Sequence, residues 1–325
     1  MLKQRNNTKA NKNLPLAHNE DITMPHKEII EQCLNQLNKV VLGKENEVKL
    51  SIACLLAKGH LLIEDIPGMG KTTLSHALGI TLGLDYKRAQ FTSDMMPADV
   101  LGGNIFDQKS SRFLFQRGPV FTNVLLADEI NRAPPKTQSA LLEAMEERQI
   151  SLDGKTRALP EPFFVIATQN PLEQAGTYPL PESQLDRFMM RISLGYPPEE
   201  AEKEMLSGVP RSQMLESLKA KISAEQLLSM QSACATVEAS KPLVDYVYRL
   251  VQASRSLDQQ HGLSPRAALA LLNASKAFAL IEGRKQVLPD DVQAVFPYVC
   301  DHRMPRKGAS EETASQKILK TVDIF

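Results

Sequence analysis

The sequence contains no tryptophan, and only four cysteines occur in its 325 residues. The four are far apart in the chain and form neither a C-x-x-C pair nor the spacing of a zinc site, which favours buried, reduced thiols in a cytosolic protein. No His-rich tract, no H-E-x-x-H pattern and no internal repeat is visible. These absences argue against a metal site built from histidines or thiolates and against a repeat architecture. The cysteines are Cys33, Cys54, Cys234 and Cys300.

Net charge and long apolar runs are also missing. Lysine plus arginine and aspartate plus glutamate number 38 each, so no global field exists to hold nucleic acid or an anionic membrane, although local patches remain open. No apolar run approaches the roughly 20 residues that span a bilayer, and the N-terminus lacks the apolar segment of a secretory signal. We therefore expect a soluble, cytoplasmic protein without membrane insertion, and its length predicts two domains.

A short glycine-containing loop follows the apolar run that begins at His60. Gly68 and Gly70 would let consecutive backbone N–H groups turn towards a phosphate chain, and Lys71 and Thr72 open a helix whose positive end faces the same anion. The pattern predicts a phosphate-binding loop, with Lys71 on the β- and γ-phosphates and the Thr72 hydroxyl on Mg²⁺. The residues expected to hold the nucleotide are Pro67, Gly68, Met69, Gly70, Lys71, Thr72 and Thr73.

One position departs from the general pattern of this loop. Asp65 stands where the first glycine of G-x-x-x-x-G-K-[ST] belongs. Glycine there only eases the entry turn, and aspartate tolerates unusual backbone angles better than most residues. An ordinary glycine-containing turn between a strand and a helix is the alternative interpretation, but G-K-T-T at a helix start is much rarer than isolated glycines.

An acidic pair follows a second apolar run. The segment 124–127 has no period-two alternation, which fits a strand buried on both faces of a parallel sheet, and it ends in Asp128 and Glu129. The carboxyl edge of such a sheet is where ligands bind. Asp128 would contact the Mg²⁺ shell, and Glu129 would orient and polarise the attacking water. An apolar run followed by Asp-Glu often marks only a strand end, but downstream of G-K-T-T it indicates nucleotide hydrolysis.

Asn170 follows the next expected strand, residues 163–168, and should lie at the same sheet edge. It could hydrogen-bond the attacking water or the γ-phosphate, while an Asn-Pro turn is the alternative. Arg187 precedes a last strand. It could form a surface pair with Asp186 or Glu182, worth about 0–1 kcal/mol, or act as an arginine finger on the neighbouring subunit's γ-phosphate, worth roughly 10³–10⁵ in rate.

Arg266 occupies an unfavourable position for a cation. Ser264 has the pattern of an N-cap and Pro265 that of the first helical residue, so Arg266 lies in the first turn, where the helix dipole disfavours positive charge. A bound γ-phosphate would offset this. Chance placement on a solvated helix end is the alternative.

The remaining sequence suggests the domain organisation. Residues 1–24 are Asn- and Lys-rich and are expected to form a disordered arm. The apolar segment 40–43 could sandwich an adenine or serve as a plain linker. Two hairpins, at about 102–117 and 149–159, interrupt the alternation of strands and helices, and the second has a strong Asp-Gly turn. After Pro198 only helices are expected, so we place the domain boundary at 197/198.

Taken together, these motifs resemble the MoxR family of AAA+ ATPases, over nearly the whole chain from about residue 28. The resemblance implies an α/β fold: a P-loop AAA+ core with a five-stranded parallel sheet in an αβα sandwich, residues 25–197, followed by a small all-α lid domain, residues 198–325. It also implies assembly into a ring, usually a hexamer. The segments that carry the resemblance are 64–72, 127–136, 167–171, 185–188 and 264–266.

The resemblance also implies roles for individual residues, with ATP and Mg²⁺ as cofactors. It implies catalytic roles for Lys71, Glu129, Asn170, Arg187 and Arg266, and metal binding by Thr72 and Asp128. We hypothesise that Arg187 acts in trans and Arg266 in cis. Proteins of this family are regarded as chaperone-like ATPases that mature or activate protein complexes, often with a von Willebrand A domain partner. No D-x-S-x-S pattern occurs here, so that partner would be a separate chain.

Three other classes remain as alternatives. A nucleic-acid-translocating motor is the main one, because the hairpins carry Lys109, Arg112, Lys155 and Arg157. The balanced net charge and the lack of an appended nucleic-acid module argue against it, and we expect no nucleic-acid partner. A non-catalytic nucleotide-gated scaffold is disfavoured because every catalytic position is filled. A small-molecule kinase is disfavoured because Arg187 would have no role.

Overall fold

The computed structural model describes residues 23–171, 176–208, 211–257, 262–304 and 312–324. Most of the expected disordered arm lies outside these residues, but its last two belong to the first helix. Two helices, α1 (Thr23–Asn38) and α2 (Glu45–Leu56), precede the sheet. The core then contains β1 (Leu61–Glu64), α3 (Lys71–Thr81), β2 (Tyr86–Gln90), α4 (Pro97–Leu101), β3 (Gly102–Asp107), β4 (Arg112–Arg117), β5 (Val124–Asp128), α5 (Pro135–Glu147), β6 (Gln149–Leu152), β7 (Lys155–Ala158), β8 (Phe164–Gln169), α6 (Glu182–Leu185) and β9 (Met190–Ile192).

The main sheet has five strands in the order β2-β5-β8-β1-β9, and all of its pairings are parallel. Every residue of β5 is buried, and so is every residue of β8 except the last. Helices cover both faces of these strands, which explains why their sequences are continuous apolar runs. The predicted fold class, a five-stranded parallel sheet between helices followed by a helical lid, is confirmed.

Both insertions are antiparallel hairpins. β3 pairs with β4 and β6 pairs with β7. Asp153 and Gly154 at the tip of the second hairpin have φ angles of 51° and 73°, as the primed turns that suit a right-twisted hairpin require. The Asn104 side chain of the first hairpin donates a hydrogen bond to Asp153 of the second, so the two hairpins are in contact.

Helices make up the rest of the chain. Ser223 caps α9 in a capping box with Gln226, and Ser264 caps α11, as their sequence patterns predict. Within the described residues after β9 the only strand-like feature is an isolated bridge between Glu238 and Gln286. The helices are α7 (Glu199–Ser207), α8 (Arg211–Ser217), α9 (Ala224–Thr236), α10 (Lys241–Leu257), α11 (Pro265–Ile281), α12 (Pro289–Cys300) and α13 (Ala314–Thr321).

The lid helices belong to the same buried hydrophobic cluster as one face of the main sheet, while a second cluster covers the other face of that sheet. Leu37 of α1 and Leu55 of α2 belong to the same buried cluster as Leu271 of α11 and Val295 of α12. A buried hydrogen bond from the Gln231 side chain to the Leu55 carbonyl crosses the same boundary. Residues on either side of the boundary expected at 197/198 therefore pack together in one of the two buried clusters.

The four cysteines are buried and unpaired, as expected from their spacing. Burial raises the pKa of Cys33 to about 11 and that of Cys234 to about 12, so neither is a reactive thiolate at neutral pH. In the part of the chain that the structure describes, no helix is both long and apolar enough to cross a membrane.

His60, just before β1, is held as a neutral ring. Its Nδ1 accepts a hydrogen bond from the Val165 N–H (3.0 Å), so Nε2 carries the proton and donates to the Met145 carbonyl (3.1 Å). Burial lowers the pKa of His60 to about 4. The unfolded chain, in contrast, titrates near pH 6.5 and takes up a proton that the folded chain does not.

We therefore expect the free energy of unfolding to fall as the pH drops from about 6.5 to about 4, with His60 contributing about 3 kcal/mol of this loss. Denaturant titrations of the wild type and of His60→Gln at several pH values measure it, and the variant should show a shallower slope. Burial also lowers the pKa of His302, so part of the slope should remain. Equal slopes for wild type and His60→Gln would contradict the assignment.

Candidate functional site

The loop between β1 and α3 has the backbone of a phosphate-binding loop. Gly68 and Gly70 have φ angles of 88° and 89°, which disfavour any residue with a Cβ. A Cβ placed on Gly68 would meet nothing within 4 Å, so space for a ligand is open there. The loop lines a cavity of about 350 Å³ together with residues of two strands. The lining residues are Pro67, Gly68, Gly70, Lys71, Thr72, Thr73, Arg88, Gln90, Asp128 and Glu129.

Lys71 reaches into this cavity from the first turn of α3. Its side chain is largely buried, and Nζ donates a hydrogen bond to the Asp65 carbonyl oxygen at 2.7 Å. Burial lowers the pKa of Lys71, and the negative charges of Asp128, Asp65 and Glu129 oppose that effect. A phosphate in the cavity would offset the cost of burying this ammonium group, so the site fits an anion.

Asp128 is held in a fixed orientation at the carboxyl end of β5. Its Oδ2 accepts hydrogen bonds from Arg88 Nη2 (2.6 Å) and Nε (3.1 Å), and its Oδ1 accepts one from Thr168 Oγ1 (2.6 Å). Among the described residues no group of three or more His, Cys, Asp and Glu side chains could hold a metal ion. Mg²⁺ that is bound together with substrate phosphates needs only one or two protein oxygens, and Asp128 and Thr72, which both line the phosphate cavity, would supply them.

Glu129 follows β5 with a left-handed backbone, φ 56°. Its N–H donates to Thr168 Oγ1 at 2.9 Å. The carboxylate is held on both sides, because Oε2 accepts a hydrogen bond from Gln90 Nε2 (2.9 Å) and lies 2.7 Å from Nε of Arg132. In this structure Glu129 is thus held by protein groups at the edge of the cavity.

Asn170 comes directly after β8, the strand between β5 and β1. Its position in the chain places it at the same sheet edge as Asp128 and Glu129. In the described part of the structure it is not one of the residues that line the phosphate cavity. Its contribution to the site therefore stays a prediction.

A second cavity adjoins the phosphate cavity. It has a volume of about 280 Å³ and shares Gly68, Gly70 and Thr73 with the first. The segment 40–42 forms part of its wall, which favours the adenine interpretation of that segment over a plain linker. Its other walls come from the P-loop and from the connection between β9 and the lid, and the lining includes Val40, Val41, Leu42, Met69, Gly195, Tyr196, Pro197 and Leu206.

Arg187 and Arg266 lie together, away from both cavities. Both guanidinium groups form ion pairs with the carboxylate of Glu146, at the end of α5. They line a third cavity, of about 260 Å³, with Lys58 and Gly59, which precede β1. That cavity is therefore at the amino edge of the parallel sheet, whereas the P-loop is at the carboxyl edge. The four residues of β1 separate the two edges by about 13 Å.

This placement corrects the hypothesis that Arg266 acts in cis. The first turn of α11 packs beside the segment that precedes β9, so Arg266 pairs with Glu146 and does not line the phosphate cavity of its own chain within the described residues. The sequence pattern predicted that Arg266 lies in the first turn of a helix. It did not indicate which edge of the sheet that turn would face.

The segment before β9 is locked to the lid. Asp186 Oδ1 accepts a hydrogen bond from Arg303 Nε (2.6 Å), and its Oδ2 accepts one from the Ser264 hydroxyl (3.1 Å). Arg303 is almost fully buried and also donates to the Phe188 carbonyl at 2.8 Å. The simple surface pair of Arg187 with Asp186 or Glu182 was the alternative interpretation. The carboxylate partner of Arg187 is Glu146, and Asp186 pairs with Arg303 instead.

Three residues near the acidic pair were missed at the sequence level: Arg88 and Gln90 on β2, and Arg132. Arg88 holds Asp128, while Gln90 and Arg132 hold Glu129. β2 is the edge strand next to β5, and Arg88 and Gln90 are two residues apart and so lie on one face of it. The spacing of two residues was the available signal, because it places both side chains on the same side of the strand.

Comparison with known proteins places the chain in a family. The model described as "ATPase family associated with various cellular activities (AAA)" matches residues 60–190, and the AAA lid domain model matches residues 252–322. The chain is similar to the uncharacterized protein YeaC of Bacillus subtilis, with 44% identity over 316 residues, 95% of this chain and 98% of that protein.

It is also similar to Chaperone MoxR1 of Mycobacterium tuberculosis, with 42% identity over 311 residues, 90% of this chain and 81% of that protein. The crystal structure of a putative ATPase from Cytophaga hutchinsonii superposes with a TM-score of 0.86 at 36% identity, covering 94% of this chain and 97% of that one. The fold, the P-loop geometry and these relatives agree, and we conclude that the chain belongs to the MoxR family of AAA+ ATPases.

Proposed function

We propose that this protein hydrolyses MgATP at the interfaces between the subunits of a ring, hexameric as is usual for the family, and uses that hydrolysis to remodel a partner protein. One observation carries the proposal: the phosphate cavity and the Arg187–Arg266 pair are at opposite edges of the same sheet. Each edge holds only part of a hydrolytic site, so two copies are needed to complete one. The working unit is a core of residues 25–197 with a lid of residues 198–325.

A head-to-tail contact between copies would bring the two halves together. The carboxyl edge of one subunit, with Lys71 and Glu129, would face the amino edge of the next, with Arg187 and Arg266. A contact between two different surfaces of the same chain repeats around the assembly and closes into a ring when the rotation allows. Glu146 pairs with both arginines in the single chain and offsets one of their two positive charges. The γ-phosphate of the neighbouring subunit's nucleotide would take over that role.

In such a site the side chains divide the work of phosphoryl transfer. ATP supplies the phosphoanhydride bond that is broken. Lys71 binds the β- and γ-phosphates, Thr72 and Asp128 hold Mg²⁺, and Glu129 orients and polarises the attacking water. For this Glu129 must leave Gln90, whose amide now engages it. Arg187 and Arg266 of the adjacent copy neutralise the charge that develops in the transition state, and Asn170 assists at the same edge.

Exposed apolar residues on the first hairpin favour a protein as the molecule that is remodelled. Ile105, Phe106, Phe113 and Leu114 are each more than half exposed at its tip. Such a cluster suits an apolar protein segment better than a nucleic-acid backbone. The client, or a separate von Willebrand A domain partner as the family implies, would meet it, and we place this activity in the cytoplasm. The basic residues of the hairpins, Lys109, Arg112, Lys155 and Arg157, favour a nucleic-acid motor, which is the second candidate.

The proposal is tested by measuring MgATP hydrolysis per subunit across a wide range of protein concentrations, with sedimentation velocity on the same samples. A shared site predicts that the rate per subunit rises as subunits associate, and that MgATP promotes association. Duplex DNA at low salt should leave the rate unchanged. A constant rate per subunit for a protein that sediments as a monomer would contradict the shared site, and salt-sensitive stimulation by DNA would favour the motor.

A further inference from the structure

Asp65 occupies the position where the general P-loop pattern has glycine, and its backbone is not left-handed. The backbone at this position therefore does not need the conformational freedom of glycine. The side chain is largely buried, and its carboxylate accepts three hydrogen bonds. Oδ1 accepts from the Ile66 N–H at 2.9 Å, and Oδ2 accepts from the Gly195 N–H at 2.6 Å and from the Ser193 hydroxyl at 3.2 Å.

The partners of Asp65 connect two parts of the nucleotide site. Gly195, which follows β9 with a φ angle of 60°, lines the 280 Å³ cavity together with Tyr196 and Pro197. On the other side, the Asp65 carbonyl oxygen accepts the hydrogen bond from Lys71 Nζ. One residue therefore touches both the wall of the cavity that suits the base and the lysine of the phosphate cavity.

A carboxylate at this place is electrostatically unfavourable for an anionic ligand. Only Ile66 separates Asp65 from the residues that would hold the phosphates, and the charge of Asp65 acts on Lys71. Hydrogen bonds to an ionised acceptor are about twice as strong as neutral ones, and a glycine could make none. The carboxylate of Asp65 thus repels the phosphates, but it also links the P-loop strongly to the segment 193–195.

We propose that Asp65 is a positioning residue that fixes the segment 195–197 against the P-loop, so that the base cavity and the phosphate cavity are held at the spacing of one nucleotide. This inference rests on the proposed function. Asp65 in place of glycine would then raise the affinity for the nucleoside part of ATP, and this effect would be separate from the binding of the phosphates.

Two ligands separate these contributions. MgATP occupies both cavities, whereas magnesium tripolyphosphate offers only the phosphate chain. We expect Asp65→Asn and Asp65→Gly to weaken MgATP binding about tenfold in calorimetry, the equivalent of about 1.4 kcal/mol. Tripolyphosphate binding should stay within about twofold of the wild type or become tighter, because a negative charge near the phosphates is removed. Asn is isosteric with Asp, and Gly restores the general pattern, so at least one variant should fold.

Matched controls and melting curves accompany the measurement. Ser193→Ala removes the longest of the three hydrogen bonds and should weaken MgATP binding less than Asp65→Asn does. Asp107→Asn removes a carboxylate at an exposed hairpin turn and should change neither affinity. Unchanged MgATP affinity in folded Asp65 variants would overturn the inference, and so would an equal loss for both ligands. Wild-type protein that binds neither ligand would instead overturn the proposed function.

Discussion

Replacing Glu129 with glutamine should lower the rate of MgATP hydrolysis by about 10²–10⁴-fold while leaving MgATP affinity near that of the wild type. Glutamine keeps the shape of the side chain and can still accept the hydrogen bond from Gln90, so the loop after β5 should keep its conformation. It cannot polarise the attacking water as a carboxylate does. Lys71, Thr72 and Asp128 should keep their expected contacts with the phosphates and Mg²⁺, because Asp128 and Asp65 act more strongly than Glu129 in favouring the protonated form of Lys71.

The measurement is single-turnover hydrolysis together with equilibrium binding of MgATP. Glu143→Gln is a suitable control. Glu143 is exposed on α5 and does not line the phosphate cavity, so this substitution removes the same charge at a different place. Hydrolysis by Glu129→Gln at the wild-type rate would show that another group activates the water. A large loss of MgATP affinity would show that Glu129 belongs to the nucleotide-binding set instead.

Local patterns were sufficient to predict most of the fold. The continuous apolar run before Asp128 could be predicted to form a buried parallel strand, because both faces of β5 are covered. The Asp153-Gly154 turn could be predicted from the backbone angles that a two-residue hairpin demands. Capping patterns at Ser223 and Ser264 likewise marked helix starts. For the turn and the two caps the determining interactions lie within a few residues of the pattern itself.

Long-range packing could not be predicted in the same way. The single core shared by α1, α2 and the lid depends on which helix faces meet, and apolar periodicity shows only that each helix has such a face. The pairing of Arg187 and Arg266 through Glu146 joins three segments that are distant in sequence. Arg88 and Gln90 became visible as partners of Asp128 and Glu129 only when β2 was placed beside β5.

Removing either arginine of the pair should abolish most hydrolysis without weakening nucleotide binding to the isolated subunit. An arginine finger is worth roughly 10³–10⁵ in rate, and we expect Arg187→Ala to lose about 10³-fold and Arg266→Ala a similar amount. MgATP affinity at high dilution should remain that of the wild type, because both side chains are at the opposite sheet edge from the P-loop.

Stopped hydrolysis assays and binding titrations at low protein concentration measure these effects. Lys203→Ala, which removes an exposed lid cation paired with Glu199, should leave both quantities unchanged. If Arg266→Ala weakens MgATP binding to dilute, monomeric protein, Arg266 reaches the nucleotide of its own chain and the placement at the amino edge does not describe the working state.

The shared site is tested most directly by mixing two inactive proteins. Lys71→Ala subunits lack a working P-loop but carry both arginines, while Arg266→Ala subunits have the P-loop and lack one arginine. Random co-assembly places an intact P-loop against an intact arginine pair at about a quarter of the interfaces. The equimolar mixture should therefore recover about a quarter of the wild-type rate, and so should a mixture of Lys71→Ala with Arg187→Ala. Mixtures that co-assemble in sedimentation but remain as inactive as their components would contradict completion of the site by the neighbouring subunit.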